Sequence, residues 1–390
     1  MVHAEAGVDV ELALFDEWAD ELEGLEALIG ARFARREPRA TAVEYVKGLL
    51  SDIQTRNGWT LAEQAGHQTP DRMQKLLRRA VWDEAGIGRD LRAYVTANLG
   101  DPGGVLVFDE TGDIKRGSQT VGVARQYTGV TGQVDNCQVG VFAAYVSTRG
   151  HALTDVELYL PKAFALDEAR CRQAGVPPQR CEVVVTKGDL AVMMLRRALA
   201  EGMPFGYVAG DEVYGRASQL REAIEIAGRG YVLEVPCDMP VSLPATGIRA
   251  DQAKQLVPAQ AWELRTQGPG AKGLRYHAWA WVALDSSDCP EGWRRSLLIR
   301  RDRDTETAYA YFLCYHRRGT TLSELVDVAG RRWGVEESFA IAKADAGLDQ
   351  HQLRCWQSWH RHTILAMLAA AFLAVMRARL PANPDAWQTT

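Results

Sequence analysis

Cysteine is scarce in this 390-residue sequence: there are seven, and no two stand in CxxC spacing. An odd number without a paired motif argues for reduced thiols and against a disulfide framework or a Cys-based zinc site. His351, His360 and His362 lie in no HExxH or Cys/His pattern, so zinc is not expected there either. Positive charge is not in excess. The formal net charge is −5, so bulk charge does not announce a nucleic-acid binder, and any phosphate contact must come from local basic clusters. Long apolar runs are missing as well. TILAMLAAAFLAVM (363–376) falls short of the roughly 20 residues of a membrane span and reads as a buried core helix. No P-loop, no GxGxxG after a strand and no GxSxG elbow is present, which leaves ATP, dinucleotide and serine-hydrolase chemistry without support. The acidic stretch MVHAEAGVDVELALFDEW shows no signal-peptide pattern.

What is present has ordinary globular proportions. Hydrophobic residues make up 47% and charged residues 24%, enough for a sizeable core in two or three domains. Residues 1–98 read as helical. Leu14, Trp18, Leu22, Leu25 and Ile29 keep helical spacing, as do Val43, Val46, Leu50 and Ile53. WTLAEQAGHQTPDRMQKLLRRAVW (59–82) has the layout of a helix-turn-helix. Thr60 is placed to cap the first helix, which ends near Gly66, and Thr69 and Pro70 to start the second. The second helix would expose Arg72, Gln74, Lys75, Arg78 and Arg79 and bury Met73, Leu76, Leu77 and Ala80. That surface is either a DNA-binding face or the solvated side of a helical bundle.

From Gly104 the pattern changes. GVLVFDETG is a buried strand that delivers Asp109 at its end, and FGYVAGDE does the same for Asp211. VGVFAAYVS, VELYL, YVLEVP, YHAWAWVAL, RRSLLIR and YAYFLCYH read as further strands, with helices near 190–201 and from Leu322 onward. Carboxylates at strand ends sit on the rim of a sheet, where α/β proteins assemble their sites. In RRWGVEESFAIAK (331–343) a helix would put Arg332, Glu336 and Lys343 within roughly 40° of one another, and Glu337 about 100° away. A surface i,i+4 pair explains that spacing blandly. Asp109, Asp211 and Glu336 converging on Mg²⁺ explains it functionally, because hard divalent ions take oxygen ligands and leave room for phosphate. Lys115 and Arg116, and Arg125 with Tyr127, are further candidates to touch DNA. Glu110 and Glu212 are expected to face away or to support the acids from behind.

Taken in order, WTLAEQAG, FDETGDIKRG, VGVARQYTG, DNCQVGV, LYLP, AGDEVYG, RRWGVEESFAIAK and HRHTILAMLAAAFLAV resemble bacterial insertion-sequence transposases with an RNase H-like DDE core, in particular the insertion sequence 701 family. The resemblance covers residues 55 to 375. It implies Asp109, Asp211 and Glu336 as the three acids of a two-metal site using Mg²⁺, with Mn²⁺ able to substitute. It also implies a β-rich insertion between the second Asp and the Glu. Related transposases carry Tyr-x2-Arg-x3-Glu-x6-Lys around the Glu. Arg332, Glu336 and Lys343 fit that spacing, while Ala329 stands where the Tyr would be.

The resulting expectation is an α/β protein with an RNase H-like mixed sheet flanked by helices. Its divisions would be an N-terminal helical DNA-binding domain (1–98), a first core segment (99–220), a β-rich insertion (221–318), C-terminal core helices (319–378) and a loose tail (379–390). The implied activity is cleavage at the ends of an insertion sequence, followed by transfer of the 3′-OH into target DNA. Arg332, Lys343, Lys115, Arg72, Lys75, Arg78 and Arg79 would contact DNA. The implied partners are double-stranded DNA, as terminal inverted repeats and target, and a second copy of the chain at synapsis. The implied location is the cytoplasm, on the nucleoid, with no membrane. A domesticated DNA-binding protein that keeps the fold without the chemistry is the rival reading.

Overall fold

A computed structural model of the chain describes residues 2–244, 246–270, 273–305, 307 and 309–380. The chain forms two compact units, one of residues 1–94 with 340–390 and one of residues 95–339. The expected boundary at 98 lies close to the first junction. Of the segment expected as C-terminal core helices (319–378), residues 319–339 group with the sheet and residues 340–378 with the N-terminal helices. The expected loose tail lies almost wholly outside the described residues.

The helical unit opens with α1 (Val2–Gly30), α2 (Arg36–Leu49), α3 (Gly58–Gln64), α4 (Asp71–Arg78) and most of α5 (Glu84–Leu99). The buried stripe of α2 is Ala42, Tyr45, Val46 and Leu49. Val43 is only half-buried and Ile53 lies past the helix end. Helix α3 starts earlier than Thr60. Asn57 is the N-cap, its side chain accepting from the backbone N–H groups of Trp59 and Thr60. Thr60 completes a capping box at the third position. Helix α4 begins after Pro70 without a side-chain cap. Arg72, Gln74, Lys75, Arg78 and Arg79 are exposed, and Met73, Leu76 and Leu77 buried; Ala80 is half-buried.

The sheet unit carries β1 (Val105–Ile114), β2 (Ala124–Thr128), β3 (Gln133–Val146) and β4 (His151–Leu158), then α6 (Lys162–Ala165), α7 (Glu168–Ala174) and α8 (Lys187–Ala200). Next come β5 (Tyr207–Gly210), α9 (Glu212–Gly215), α10 (Ser218–Ile226) and β6 (Gly230–Val235). Val105, Leu106, Val107 and Phe108 are fully buried, as a central strand covered on both faces requires. β4, β3 and β1 pair antiparallel, and β1, β5 and β6 pair parallel, giving the spatial order β4–β3–β1–β5–β6. This is the RNase H-like mixed sheet that the motifs imply.

Residues beyond β6 form β7 (Pro240–Ser242), β8 (Gly247–Arg249), α11 (Ala250–Ala253), β9 (Glu263–Gly270), β10 (Gly273–Ala283), β11 (Trp293–Asp302) and β12 (Ala310–Arg317). β12, β11, β10 and β9 continue the same sheet antiparallel from β6, so the inserted strands widen the core sheet. One face of them packs Val235, Leu297, Ile299 and Tyr311 against Val241, Ala250 and Ala253. Against the sheet also lies α12 (Leu322–Arg331), begun by a capping box of Thr321 and Glu324. After it, α13 (Trp333–Ala344) carries the chain back into the helical unit, which closes with α14 (Trp356–Arg379). Helix α14 has the length and apolarity of a membrane span. It is instead a core helix, with 78% of its apolar window buried, and it packs on α2 and α4.

Candidate active site

Asp109 and Asp211 occupy neighbouring strand ends. In the parallel β1–β5 pair the last partners are Phe108 and Gly210, so each acid is the next residue along. Asp211 leaves the strand as the N-cap of α9, where its Oδ1 accepts the Val213 N–H at 2.9 Å. Asp109 Oδ1 accepts the Glu110 N–H at 2.8 Å. Glycines allow this tight packing: a Cβ on Gly210 would lie 3.0 Å from Tyr214 Cβ, and one on Gly215 would lie 1.8 Å from the Glu234 carbonyl oxygen.

Glu336, in the first turn of α13, joins the pair through Arg332. Arg332 Nη2 donates to Glu336 Oε1 at 2.8 Å, and Nη1 lies 3.6 Å from Asp109 Oδ2. Glu337 points elsewhere, with His151 Nε2 3.2 Å from its Oε2. The face separation expected from helical geometry is therefore present. Lys343 lies further along α13, in the helical unit. Ala329, at the position of the family Tyr, is buried and brings no hydroxyl.

The electrostatics follow from this crowding. Burial, and then the charge of Asp211, push the Asp109 carboxyl up to about 7, against the opposing pull of Arg332 and the Glu110 N–H. Burial, and then Glu110, raise Asp211 to about 6. Burial alone would lower the Arg332 guanidinium, but Glu336 and Asp109 outweigh it and hold it above its ordinary value. Carboxylates raised by burial and by one another are stabilised by a cation.

Glu110 is closer to the acids than alternation along a strand suggests. Its Oε1 accepts from Lys187 Nζ at 2.5 Å, and its Oε2 from the Tyr214 hydroxyl at 2.8 Å. Lys187 and Tyr214 are thus parts of the site that sequence reasoning missed. AGDEVYG contains the Tyr, but nothing in the chain links Lys187, at the start of α8, to Glu110. Lys115 is drawn into an ion pair with Asp113 and is largely buried, while Arg116 is exposed. Tyr127, 64% exposed on β2, lines a cavity of about 370 Å³ together with Asp109, Glu110, Thr128, Glu336 and Phe339. Arg125 is exposed on the same strand.

Among the described residues, no group of three or more His, Cys, Asp and Glu side chains forms a ready-made metal cage. The donors at hand are carboxylate oxygens, with Arg332 between two of them. Such a set fits a hard ion held by one or two carboxylates and completed by water and phosphate. It does not fit zinc, whose sites draw on Cys and His.

Acids at the ends of adjacent parallel strands, in an RNase H-like sheet, define a class of nucleic-acid-cutting enzymes. Residues 29–260 match the family described as DDE superfamily endonuclease, and residues 188–372 match the transposase DDE domain. The first match covers more than half of the chain, which belongs to the DDE superfamily of endonucleases. The chain is also similar to the "Probable transposase for insertion sequence element IS701" of Microchaete diplosiphon, 29% identical over 175 residues. That match spans 44% of this chain and 42% of the relative.

Proposed function

We propose that this chain is a transposase that cuts DNA at the ends of an insertion sequence and joins the freed 3′-OH to target DNA. The observation that carries the reading is the placement of Asp109 and Asp211 one residue beyond paired β1 and β5, with Arg332 linking Asp109 to Glu336. Asp109 and Asp211 would hold Mg²⁺ or Mn²⁺, and Glu336 would complete one site once a substrate phosphate competes for Arg332. When bound, such ions lower the cost of forming a nucleophilic oxygen and of releasing the leaving one.

The chain's own residues do the rest. Glu110, fixed by Lys187 and Tyr214, keeps Asp211 in a negative surrounding and so favours cation capture. Arg332 supplies a fork of N–H donors suited to a phosphate. Tyr127 borders the cavity and offers an exposed ring to a DNA strand. Arg72, Lys75, Arg78 and Arg79 give α4 a positive outer face for the terminal repeats; Lys343 would add a backbone contact, and Lys115 would add one only on leaving Asp113. Two ends must be held together for joining, which calls for a second copy of the chain at that stage.

The test is Asp109→Asn with end-bearing DNA and Mg²⁺. We expect no nicked and no joined product, with DNA binding retained. Nicking that persists in this variant would reject the assignment of the acids. Joined products from the unaltered protein distinguish a transposase from a simple nuclease, and their absence alongside nicking would reject strand transfer.

A further inference from the structure

The sheet face that carries the acids does not end with them. β6 follows β5, and Glu234 pairs with Phe312 on β12, which pairs with Leu298 on β11. Next along that face Arg300 stands opposite Trp279, and His277 opposite Asp302. Arg275, His277 and Trp279 alternate on β10, so they share this face.

This stretch holds positive charge that the protein compensates poorly. The Arg300 guanidinium lies 6.0 Å from the Trp279 ring and 5.9 Å from the Phe312 ring, and donates to Gln267 Oε1 at 3.3 Å. Arg275 stacks 4.6 Å from the Trp333 ring and reaches the Gln267 carbonyl at 3.4 Å. Arg332 lies near enough to repel Arg300, and Glu234 is the carboxylate that attracts both. Burial, and then the repulsion of Arg332 and Arg275 against the pull of Glu234, leave Arg300 below its ordinary value. Among the described residues, three buried polar atoms on this strand face have no hydrogen-bond partner: Arg275 Nε, His277 Nδ1 and Trp279 Nε1. Trp279 is fully buried. Crowded guanidiniums with one carboxylate between them are costly in an isolated fold, and an anion beside the half-buried Arg275 and Arg300 offsets their repulsion.

We propose that Arg275 and Arg300 form a phosphodiester-binding site, with Gln267 and Trp333 holding the two guanidiniums in place. The ligand is a backbone phosphate of DNA, so the inference rests on the function proposed above. Four strand spacings separate the backbones of β1 and β11, roughly 20 Å of sheet, and the Arg332 side chain reaches between them, so this phosphate is a different one from the one that is cut. The inserted strands would then extend the footprint of the acid site along one face of one sheet. Arg300 and Arg275 here are binding residues, and the reacting phosphate is left to Arg332 and the acids.

The test uses the full chain and a labelled duplex carrying an element end, without divalent metal, so that cleavage does not enter. Binding is measured over a range of salt for the wild type, Arg275→Gln, Arg300→Gln and Arg300→Lys. Each Gln variant is expected to bind about tenfold more weakly and to lower the salt slope by about one, with Arg300→Lys in between. In a scan of single neutral methylphosphonate linkages, one position should weaken the wild type and leave Arg300→Gln unaffected. Folded Gln variants with wild-type affinity and slope would overturn the site. If the Gln variants fail to fold, a wild type indifferent to methylphosphonate at every position would overturn it. Inorganic phosphate that raises the wild-type Tm but not that of Arg300→Gln, with equal DNA binding by the two, would assign a free anion there and also reject the proposal. A protein that binds in this pattern yet never nicks DNA with Mg²⁺ would reject the transposase reading and leave this site standing.

Discussion

Arg332 donates to Glu336 at 2.8 Å across a point where the helical path is interrupted: α12 ends at Arg331, Arg332 caps it, and α13 begins at Trp333. The same guanidinium stands 3.6 Å from Asp109, so one cation ties Glu336 to Asp109. Replacing it should therefore disturb geometry and charge together. Arg332→Ala is expected to lower the cleavage rate on the order of 100-fold, and Arg332→Lys by less, because Lys keeps the charge without the planar fork. Arg332 also opposes the upward shift of Asp109, so its loss raises that carboxyl further. The cleavage–pH profile of Arg332→Ala should move to higher pH. An unchanged profile would remove Arg332 from the electrostatics of the site.

Asp109 itself makes stability depend on pH. Its carboxyl is raised to about 7 in the folded chain from an ordinary value of 3.8. A raised acid contributes stability that is complete below the unfolded value and is lost as pH rises through the folded one. The metal-free wild type thus carries the cost of ionising Asp109 at pH 8 and not at pH 4. Asp109→Asn should be more stable than the wild type at pH 8, on the order of 2 kcal/mol, with the advantage fading toward pH 5. Added Mg²⁺ should raise the Tm of the wild type at pH 8 and leave the variant nearly unmoved. Thermal melts at the two pH values, with and without the ion, check both statements.

The strands were legible where burial dictates composition. The apolar runs ending at Asp109 and Asp211, and those around Ile299 and Tyr311, could be read because strands covered on both faces admit little else. The exposed set on α4 was legible from its 3.6-residue period. Helix starts were less so: Asn57 precedes Thr60 and both are capable caps, so sequence alone does not choose between them. The role of Lys187 was out of reach, because its ion pair with Glu110 spans 77 positions and depends on how α8 lies on the sheet. Nor does composition show that the inserted strands join the core sheet, since edge pairing is decided by tertiary contact.

Helix α4 is held from below by a buried side chain of α14. Arg361 of α14, 3% exposed, donates to the Ala80 carbonyl at 2.8 Å and to Leu76 at 3.3 Å, and pairs with Glu84 at 2.8 Å. It thereby satisfies carbonyls that the end of α4 leaves free. Arg361→Met is expected to destabilise the protein by about 3 kcal/mol, because several acceptors lose their donor in a dry setting. Arg72→Gln with Lys75→Gln should cost little stability while reducing the salt slope of DNA binding by about two. Denaturant titration of both proteins separates the buried role from the exposed one. Equal stability losses would contradict it.

Two glycines test how tightly the Asp211 turn is built. Gly215 has an ordinary backbone, but a Cβ there would meet the Glu234 carbonyl oxygen at 1.8 Å and its carbon at 2.9 Å. These are backbone atoms of β6, which cannot yield without parting α9 from the sheet. Gly228, after α10, has φ +62° and nothing within 4 Å of the added carbon. Alanine at Gly228 meets only the left-handed backbone, at a cost of about 1 kcal/mol. Alanine at Gly215 meets a collision and should cost roughly 3 kcal/mol or more. It should also reduce cleavage beyond its effect on stability, because α9 begins at the Asp211 cap and moves with it. Comparing the two variants by denaturation and by activity per folded molecule decides the matter. If Gly215→Ala proves the milder of the two, the close contact between α9 and β6 does not set the position of Asp211.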